Sequence, residues 1–161
     1  MENSSGSQGS QDALWKAPCI GMFKVNVNGA LNQNCNSGGV GVIVRDDRGH
    51  IVECVNAPVK ASTVCMAEVL ALRKSLQVVS DLNIQEVCIE SDCKNLVDWF
   101  NGNCAGLLHE VISLSSFMQV VWMPRSANKA ADWLAKVVFR GLCCSAWVNR
   151  PPTHFSEDCS L

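Results

Sequence analysis

The chain has 161 residues, of which 48% are hydrophobic and 17% charged, which is enough apolar material for one independently folding domain. Its formal charge of -2 excludes a strongly basic packager of nucleic acid but leaves room for a local basic surface. There is no apolar run long enough to span a bilayer, and residues 1–12 lack the apolar segment of a secretory signal. We therefore expect a soluble intracellular protein of the nucleus or cytoplasm, without membrane contact.

The ten cysteines are scattered along the chain, and no two of them form a C-x-x-C pair. A chain of this length does not need stapling, and a free cysteine behaves as a small hydrophobic residue. We expect reduced, buried thiols, with a zinc or disulfide framework as the alternative.

Residues 1–20 are polar and irregular and are interpreted as a disordered N-terminal tail. Pro151-Pro152 breaks regular structure, and little beyond it could pack, so residues 143–161 are interpreted as a C-terminal tail. Residues 21–142 between the tails are expected to form one domain.

Hydrophobic periodicity predicts the elements of this domain in chain order. Phe23, Val25 and Val27 alternate with polar residues as in a strand, and runs 39–45 and 50–57, joined by a turn, form a hairpin. Helical spacing follows over 64–82, then a strand over 85–90, a helix over 93–100, a weaker helical run over 107–115, a strand over 118–123 and a helix over 128–140. Three antiparallel strands followed by alternating strands and helices predict a mixed α/β sheet flanked by helices.

Three carboxylates occupy unusual positions in this pattern. Glu68 lies within an apolar helix, where the alternative is a side chain that reaches solvent at the rim. Asp92 follows the carboxyl end of a strand, and Asp132 lies in the apolar last helix; their alternatives are a helix N-cap and an interaction with the helix dipole. Together they would form an oxygen-ligand site for Mg²⁺ or Mn²⁺, the cations used in phosphoryl transfer.

Five ordered motifs between about residues 23 and 140 resemble those of type 1 ribonuclease H domains: residues 25–30, 39–46, 67–72, 90–92 and 124–135. The sequence is most similar to the plant group that resembles ribonuclease H domains of non-LTR retrotransposons. The resemblance implies a ribonuclease H-like fold, with a five-stranded mixed sheet whose strands 1–3 are antiparallel. It also implies a two-metal endonuclease, using Mg²⁺ or Mn²⁺, that cleaves the RNA strand of an RNA-DNA hybrid.

Carried over by motif, the family's catalytic, metal-binding carboxylates match Glu68, Asp92 and Asp132. The fourth position, an aspartate in the family's V-D-G-A motif, holds Asn28 here. An amide offers a neutral oxygen, so we expect loss of tight metal binding, with residual activity if three carboxylates suffice. By spacing alone, Asn28-Gly29 is typical of a type I′ turn, whereas the motif favours a strand that continues through it.

The resemblance further implies nucleic-acid contacts at five positions: Gly29, Gly39, Asn95, Arg125 and Asn128. A local excess of basic residues in 111–150, against an acidic excess in 81–110, fits a metal pocket beside a phosphate-binding edge, and equally fits ordinary solvated faces. The tryptophans at 99, 122, 133 and 147 could stack on bases, although core packing is favoured. Where relatives often place a histidine, Trp122 or Met123 stands.

Three functions follow as hypotheses. The first is a metal-dependent RNA-DNA hybrid ribonuclease, weakened by Asn28, that acts as a monomer. The second is a catalytically inactive, retroelement-derived domain that still binds nucleic acid. The third is a protein-interaction module that reuses the sheet and its apolar surface.

Overall fold

The computed structural model describes residues 13–103 and 116–142, and these contain five strands and three α-helices. The strands are β1 Phe23–Asn32, β2 Ser37–Arg45, β3 Ile51–Lys60, β4 Glu86–Ser91 and β5 Phe117–Trp122. The helices are α1 Val64–Asp81, α2 Lys94–Asn103 and α3 Lys129–Val137, with 3-10 turns at Arg125–Ala127 and Val138–Arg140. The predicted helix over 107–115 and the predicted C-terminal tail lie outside the described residues.

The strands form one sheet in the order β3-β2-β1-β4-β5. β1, β2 and β3 pair antiparallel, whereas β4 runs parallel to β1 and β5 parallel to β4. This confirms the mixed five-stranded sheet. Because β1 is the central strand and has a partner on each side, its middle residues are buried.

The two faces of the sheet are covered by different helices. Alternate β1 residues such as Val25 and Val27 pack with the buried faces of α1 and α2. On the opposite face, Ile43 of β2 packs with Leu134 of α3. The period-two alternation in β1 therefore turns its valines toward α1 and α2, whereas Asn28, in the alternate set, contacts Asp132 of α3 on the other face.

Strand β1 is longer than the sequence pattern predicts. Asn28 pairs with Gly41 and Gly29 with Val40 in the antiparallel ladder, so the strand continues to Asn32. The alternative of a type I′ turn at Asn28-Gly29 is wrong, because both residues are held by pairing to β2. As a consequence, Asn28 is fixed in the middle of the sheet.

Three glycines, Gly29, Gly39 and Gly41, let the helices approach the sheet at backbone distance. A Cβ added at Gly29 would lie 2.3 Å from the backbone of Ala67 in α1. On the other face, a Cβ at Gly39 would lie 2.1 Å from the Ala135 carbonyl oxygen. Helix α3 thus packs over Gly39, which is buried; the resemblance implies a nucleic-acid contact at this position.

Part of the segment interpreted as an N-terminal tail lies against the domain. The Trp15 indole Nε1 donates a hydrogen bond to Glu90 Oε2 at 3.1 Å, and its ring faces the Arg45 guanidinium at 4.6 Å. Ser126 Oγ donates to the Ala13 carbonyl at 3.0 Å. A single tryptophan among polar residues carries no periodic signal, so the sequence did not indicate these contacts.

The cysteines of the described residues are free thiols, but they are not uniformly buried. Cys54 and Cys88 are buried and Cys93 is partly exposed, whereas Cys19, Cys35 and Cys65 are exposed. The expectation of buried thiols therefore fails for the last three, which lie in turns or at a helix start. None of the helices in the described ranges is both long and apolar enough to cross a membrane.

Gly41→Ala should destabilise the fold by about 2 kcal/mol, as expected for overpacking between rigid elements. The new Cβ would lie 2.5 Å from the Ala131 carbonyl oxygen and 2.7 Å from the Ala135 nitrogen, both backbone atoms of α3. Gly102→Ala is the matched control, since a Cβ there meets nothing within 4 Å and alanine favours the helix. Urea unfolding of both variants is the measurement, and equal stability of the two would contradict the close approach of α3.

Candidate functional site

A cleft of about 390 Å³ opens where the ends of β1 and β4 meet α1 and α3. Its described lining residues are Asn28, Gly29, Ala30, Leu31, Val64, Glu68, Asp92, Arg125, Ser126, Lys129, Asp132, Lys136 and Phe139. The four positions that the sequence analysis singles out therefore line one cleft, although they come from four separate elements of the chain.

Glu68 is a buried carboxylate in the first half of α1. Its side chain is almost inaccessible, at 5% exposure for the residue, and its Oε2 accepts a hydrogen bond from the Gly29 backbone N–H at 3.1 Å. Burial raises the pKa of Glu68 to about 7, opposed by the Gly29 hydrogen bond and reinforced by the charge of Asp92. The alternative of a side chain that reaches solvent at the rim is wrong.

Asp92 follows β4 directly, and its side chain is 8% exposed. Burial raises the pKa of Asp92, while the positive charge of Arg125 and a hydrogen bond from Asn128 lower it. Arg125 Nε lies 3.5 Å from Asp92 Oδ2. The 3-10 turn before α3 therefore supplies the counter-charge for this aspartate.

Asn128 connects the start of α3 to the central strand. Its Nδ2 donates to the Val27 carbonyl at 2.9 Å, in a position that is 1% exposed. Its Oδ1 is buried and has no hydrogen-bond partner among the described residues. Asn128 is thus buried next to the cleft, where it joins α3 to β1 and donates a hydrogen bond to Asp92.

The carboxylate of Asp132 has two described partners, a hydrogen-bond donor and a lysine that balances its charge. Asn28 Nδ2 donates to Asp132 Oδ1 at 3.3 Å, and Lys136 Nζ lies 2.6 Å from Asp132 Oδ2. The Lys136 contact spans one helical turn, a spacing that the sequence displays. The Asn28 contact joins positions 104 residues apart and needs the fold.

The donor set has one carboxylate fewer than the resemblance implies for a two-metal centre. Within residues 13–103 and 116–142, no group of three or more histidine, cysteine, aspartate or glutamate side chains is arranged to hold a metal ion. Asn28, at 4% exposure, contributes an amide in place of a carboxylate, and its N–H points to Asp132. The remaining carboxylates are compensated by groups of the chain itself: the Gly29 N–H, Arg125, Asn28 and Lys136.

The other residues implied as nucleic-acid contacts are distributed unevenly. Gly29 and Arg125 line the cleft, whereas Asn95 is an exposed residue of α2 and is not among the described lining residues. In the sequence, Lys129 and Lys136 stand out only as part of a local basic excess. In the structure both lie in the cleft, facing the same space as the carboxylates.

Two tryptophans differ from the expectation of core packing. Trp99 is 49% exposed and Trp122 is 51% exposed, so core packing is wrong for both. Trp133 is partly buried against the cluster of Ile43 and Leu134, in agreement with that expectation. Trp147 lies outside the described residues. An exposed tryptophan ring is a surface on which a ligand can stack.

Comparison with known proteins gives a consistent assignment. The family model described as reverse transcriptase-like matches residues 26–138. An Arabidopsis thaliana protein that is named as a ribonuclease H is 24% identical over 134 residues, which cover 78% of this chain but only 22% of that protein. The chain thus spans about a fifth of this relative's length.

Solved structures agree in fold. RNase H1 of the halophilic archaeon Halobacterium salinarum NRC-1 has a TM-score of 0.67 at 19% identity, with 75% of this chain and 99% of that chain covered. LC11-RNase H1, crystallised in complex with an RNA/DNA hybrid, has a TM-score of 0.63 at 21% identity, covering 71% of this chain and 94% of the other. At these identities the likeness establishes the fold.

The unfolding free energy should fall as pH rises from about 5 to 8, and Glu68→Gln should remove part of this fall. The pKa of Glu68, about 7 in the folded chain, lies above its ordinary value of 4.5, so the folded state binds the extra proton in this window. The contribution of Glu68 to the free energy of unfolding is fully present below its unfolded pKa. It is lost as pH rises through the folded pKa, and the loss amounts to at most ~3 kcal/mol. Denaturant unfolding at each pH measures the difference.

Glutamine at position 68 still offers an oxygen to the Gly29 N–H but cannot titrate. The control is Glu86→Gln, a substitution at an exposed position at the start of β4, which should follow the parent curve. If the unfolding free energies of the parent chain and Glu68→Gln had the same dependence on pH, burial of this carboxylate would not be the cause of the fall.

Proposed function

The chain belongs to the reverse transcriptase-like family and is a ribonuclease H-like domain, and from this we propose that it binds RNA-DNA hybrids in the cleft around Asp92 without cleaving them. The observation that carries the proposal is the amide of Asn28, which donates to Asp132 at 3.3 Å where the family motif has a carboxylate. Binding is thereby separated from catalysis in this cleft.

The charge balance of the cleft supports phosphate binding. Arg125, Lys129 and Lys136 line the same space as the carboxylates. Because the pKa of Glu68 is raised to about 7, this side chain carries only part of a negative charge at neutral pH. The basic side chains therefore balance the acidic ones, and a phosphate backbone approaches without a bridging cation.

Metal chemistry is the point at which this chain departs from its family. Ribonucleases H generally use divalent metal ions. With Asn28 the cleft has one negative charge fewer than the family motif supplies, and Lys136 occupies one oxygen of Asp132 at 2.6 Å. A hard dication has lower affinity for such a donor set, so we infer that hybrid binding is independent of Mg²⁺.

A second candidate function is hybrid cleavage that depends on Mg²⁺ or Mn²⁺. The observation that favours it is that Glu68, Asp92 and Asp132 all line the one cleft. These three carboxylates would be the residues that hold the metal, which would supply charge stabilisation at the phosphate. The Asn28 substitution would then lower the rate rather than abolish it.

The parent chain should cleave a labelled RNA-DNA hybrid no faster than Asp92→Asn, with Mg²⁺ or with Mn²⁺. Asn28→Asp restores the fourth carboxylate and should raise metal-dependent cleavage by at least about tenfold, the scale of single changes around metal sites. Product formation on denaturing gels is the measurement.

The matched control for this gain is the double variant Asn28→Asp with Asp92→Asn, which should no longer cleave the hybrid. Cleavage by the parent chain that Asp92→Asn abolishes would overturn the proposal and establish the second candidate. The same assay thus distinguishes a cleft that binds hybrids without cleaving them from an enzyme that cleaves them slowly.

Lys129→Ala should weaken binding of a fluorescent RNA-DNA hybrid in EDTA and lower the slope of log K against log salt by about 1. Lys129 is an exposed residue that lines the cleft. Lys74→Ala is the control, because Lys74 lies on α1 and lines a different groove, with Val40 and Leu70. Equal losses in the two variants would place hybrid binding elsewhere than in this cleft.

A further inference from the structure

Trp122 presents a large aromatic surface next to Asp92, one of the residues that line the cleft. It is the last residue of β5, the edge strand, and pairs in register with Ser91, the residue before Asp92. Half of its surface is exposed. Scattered exposed apolar residues are ordinary on protein surfaces, so exposure alone assigns no role to this ring.

A polar contact fixes the ring beside the cleft. The indole Nε1 of Trp122 donates to the backbone carbonyl of Asp92 at 3.2 Å. The carboxylate of the same Asp92 faces Arg125, whose side chain is 92% exposed. One residue of the cleft is therefore contacted by an aromatic ring and by a guanidinium, both open to solvent.

The indole of Trp122 and the guanidinium of Arg125 match two parts of a nucleotide, its base and its phosphate. A guanidinium binds a phosphate, and an exposed indole face stacks on a base without regard to sequence. In a paired hybrid each base face is covered by its stacked neighbours, so a ring at the surface has access only to an unpaired base. The ligand that uses both groups is therefore a nucleotide outside the duplex.

We propose that Trp122 is a stacking platform for an unpaired nucleotide that extends from an RNA-DNA hybrid, with Arg125 at its phosphate. The inference rests on the proposed function and narrows its ligand to a hybrid with a single-stranded extension. The N–H bond to Asp92 orients the ring, and the exposed indole face supplies the contact.

The test is fluorescence anisotropy in EDTA with three probes that share one hybrid duplex. One is blunt, one carries an unpaired extension of about four nucleotides, and one carries an abasic extension of the same length. The last two have equal phosphate charge and differ only in bases. The parent chain should bind the base-bearing extension about tenfold more tightly than the abasic one.

Trp122→Ala should lose this preference while retaining affinity for the blunt hybrid. Trp99→Ala is the matched control, since Trp99 is equally exposed but lies on α2 rather than against Asp92, and it should keep the preference. Trp122→Phe retains an aromatic ring and should keep most of the preference for the base-bearing extension. Binding should also quench the tryptophan emission of the parent chain more than that of Trp122→Phe, a readout independent of the alanine variant's folding.

The outcomes separate the two proposals. Equal affinity of the parent chain for the base-bearing and abasic probes would overturn the stacking platform while leaving hybrid binding intact. Absence of binding to every probe would overturn both. Loss of the preference in Trp99→Ala as well as in Trp122→Ala would remove the assignment to Trp122.

Discussion

The geometry of the cleft depends on the contact between the backbones of α1 and β1 at Gly29. Any side chain there would overlap the backbone of Ala67, so glycine alone permits this approach. The contact puts Glu68, the next residue of α1, within hydrogen-bond distance of the Gly29 N–H. On the opposite face Gly41 admits α3 in the same way, and α3 carries Asp132. Two helices on opposite faces therefore bring carboxylates to the same end of the central strand.

This convergence creates an electrostatic problem, because two of the carboxylates, Glu68 and Asp92, are brought together where water is largely excluded. Burial penalises each charge, and the raised pKa values of Glu68 and Asp92 express that penalty. A fourth carboxylate at position 28 would increase the repulsion unless cations compensated for it. Asn28 relieves it and donates a hydrogen bond to Asp132. The substitution thus fits the folded chain without metal, at the expense of the charge that would hold a metal.

The periodic parts of the chain could be predicted from sequence, and the contacts between distant parts could not. Alternation in β1 and helical spacing in α1 follow from burial. The ordered motifs identified Glu68, Asp92 and Asp132, which line one cleft in the structure. The exposure of Trp122 was missed, because apolar character does not say whether an edge strand is covered. The docking of Trp15 was missed because its partners Glu90 and Arg45 lie far along the chain. Such contacts depend on the tertiary fold and have no local pattern.

A cleft with nearly balanced charge also constrains how affinity arises. Arg125 and Lys136 are paired with Asp92 and Asp132, so a phosphate that binds them must compete with these carboxylates. The electrostatic part of the proposed hybrid binding would therefore be modest and would weaken further with salt. The proposed stacking on Trp122 carries no charge and breaks no ion pair, so its contribution should persist at salt concentrations that screen phosphate contacts. A neutral aromatic surface next to Asp92 would thus add affinity that the basic residues of the cleft alone do not provide.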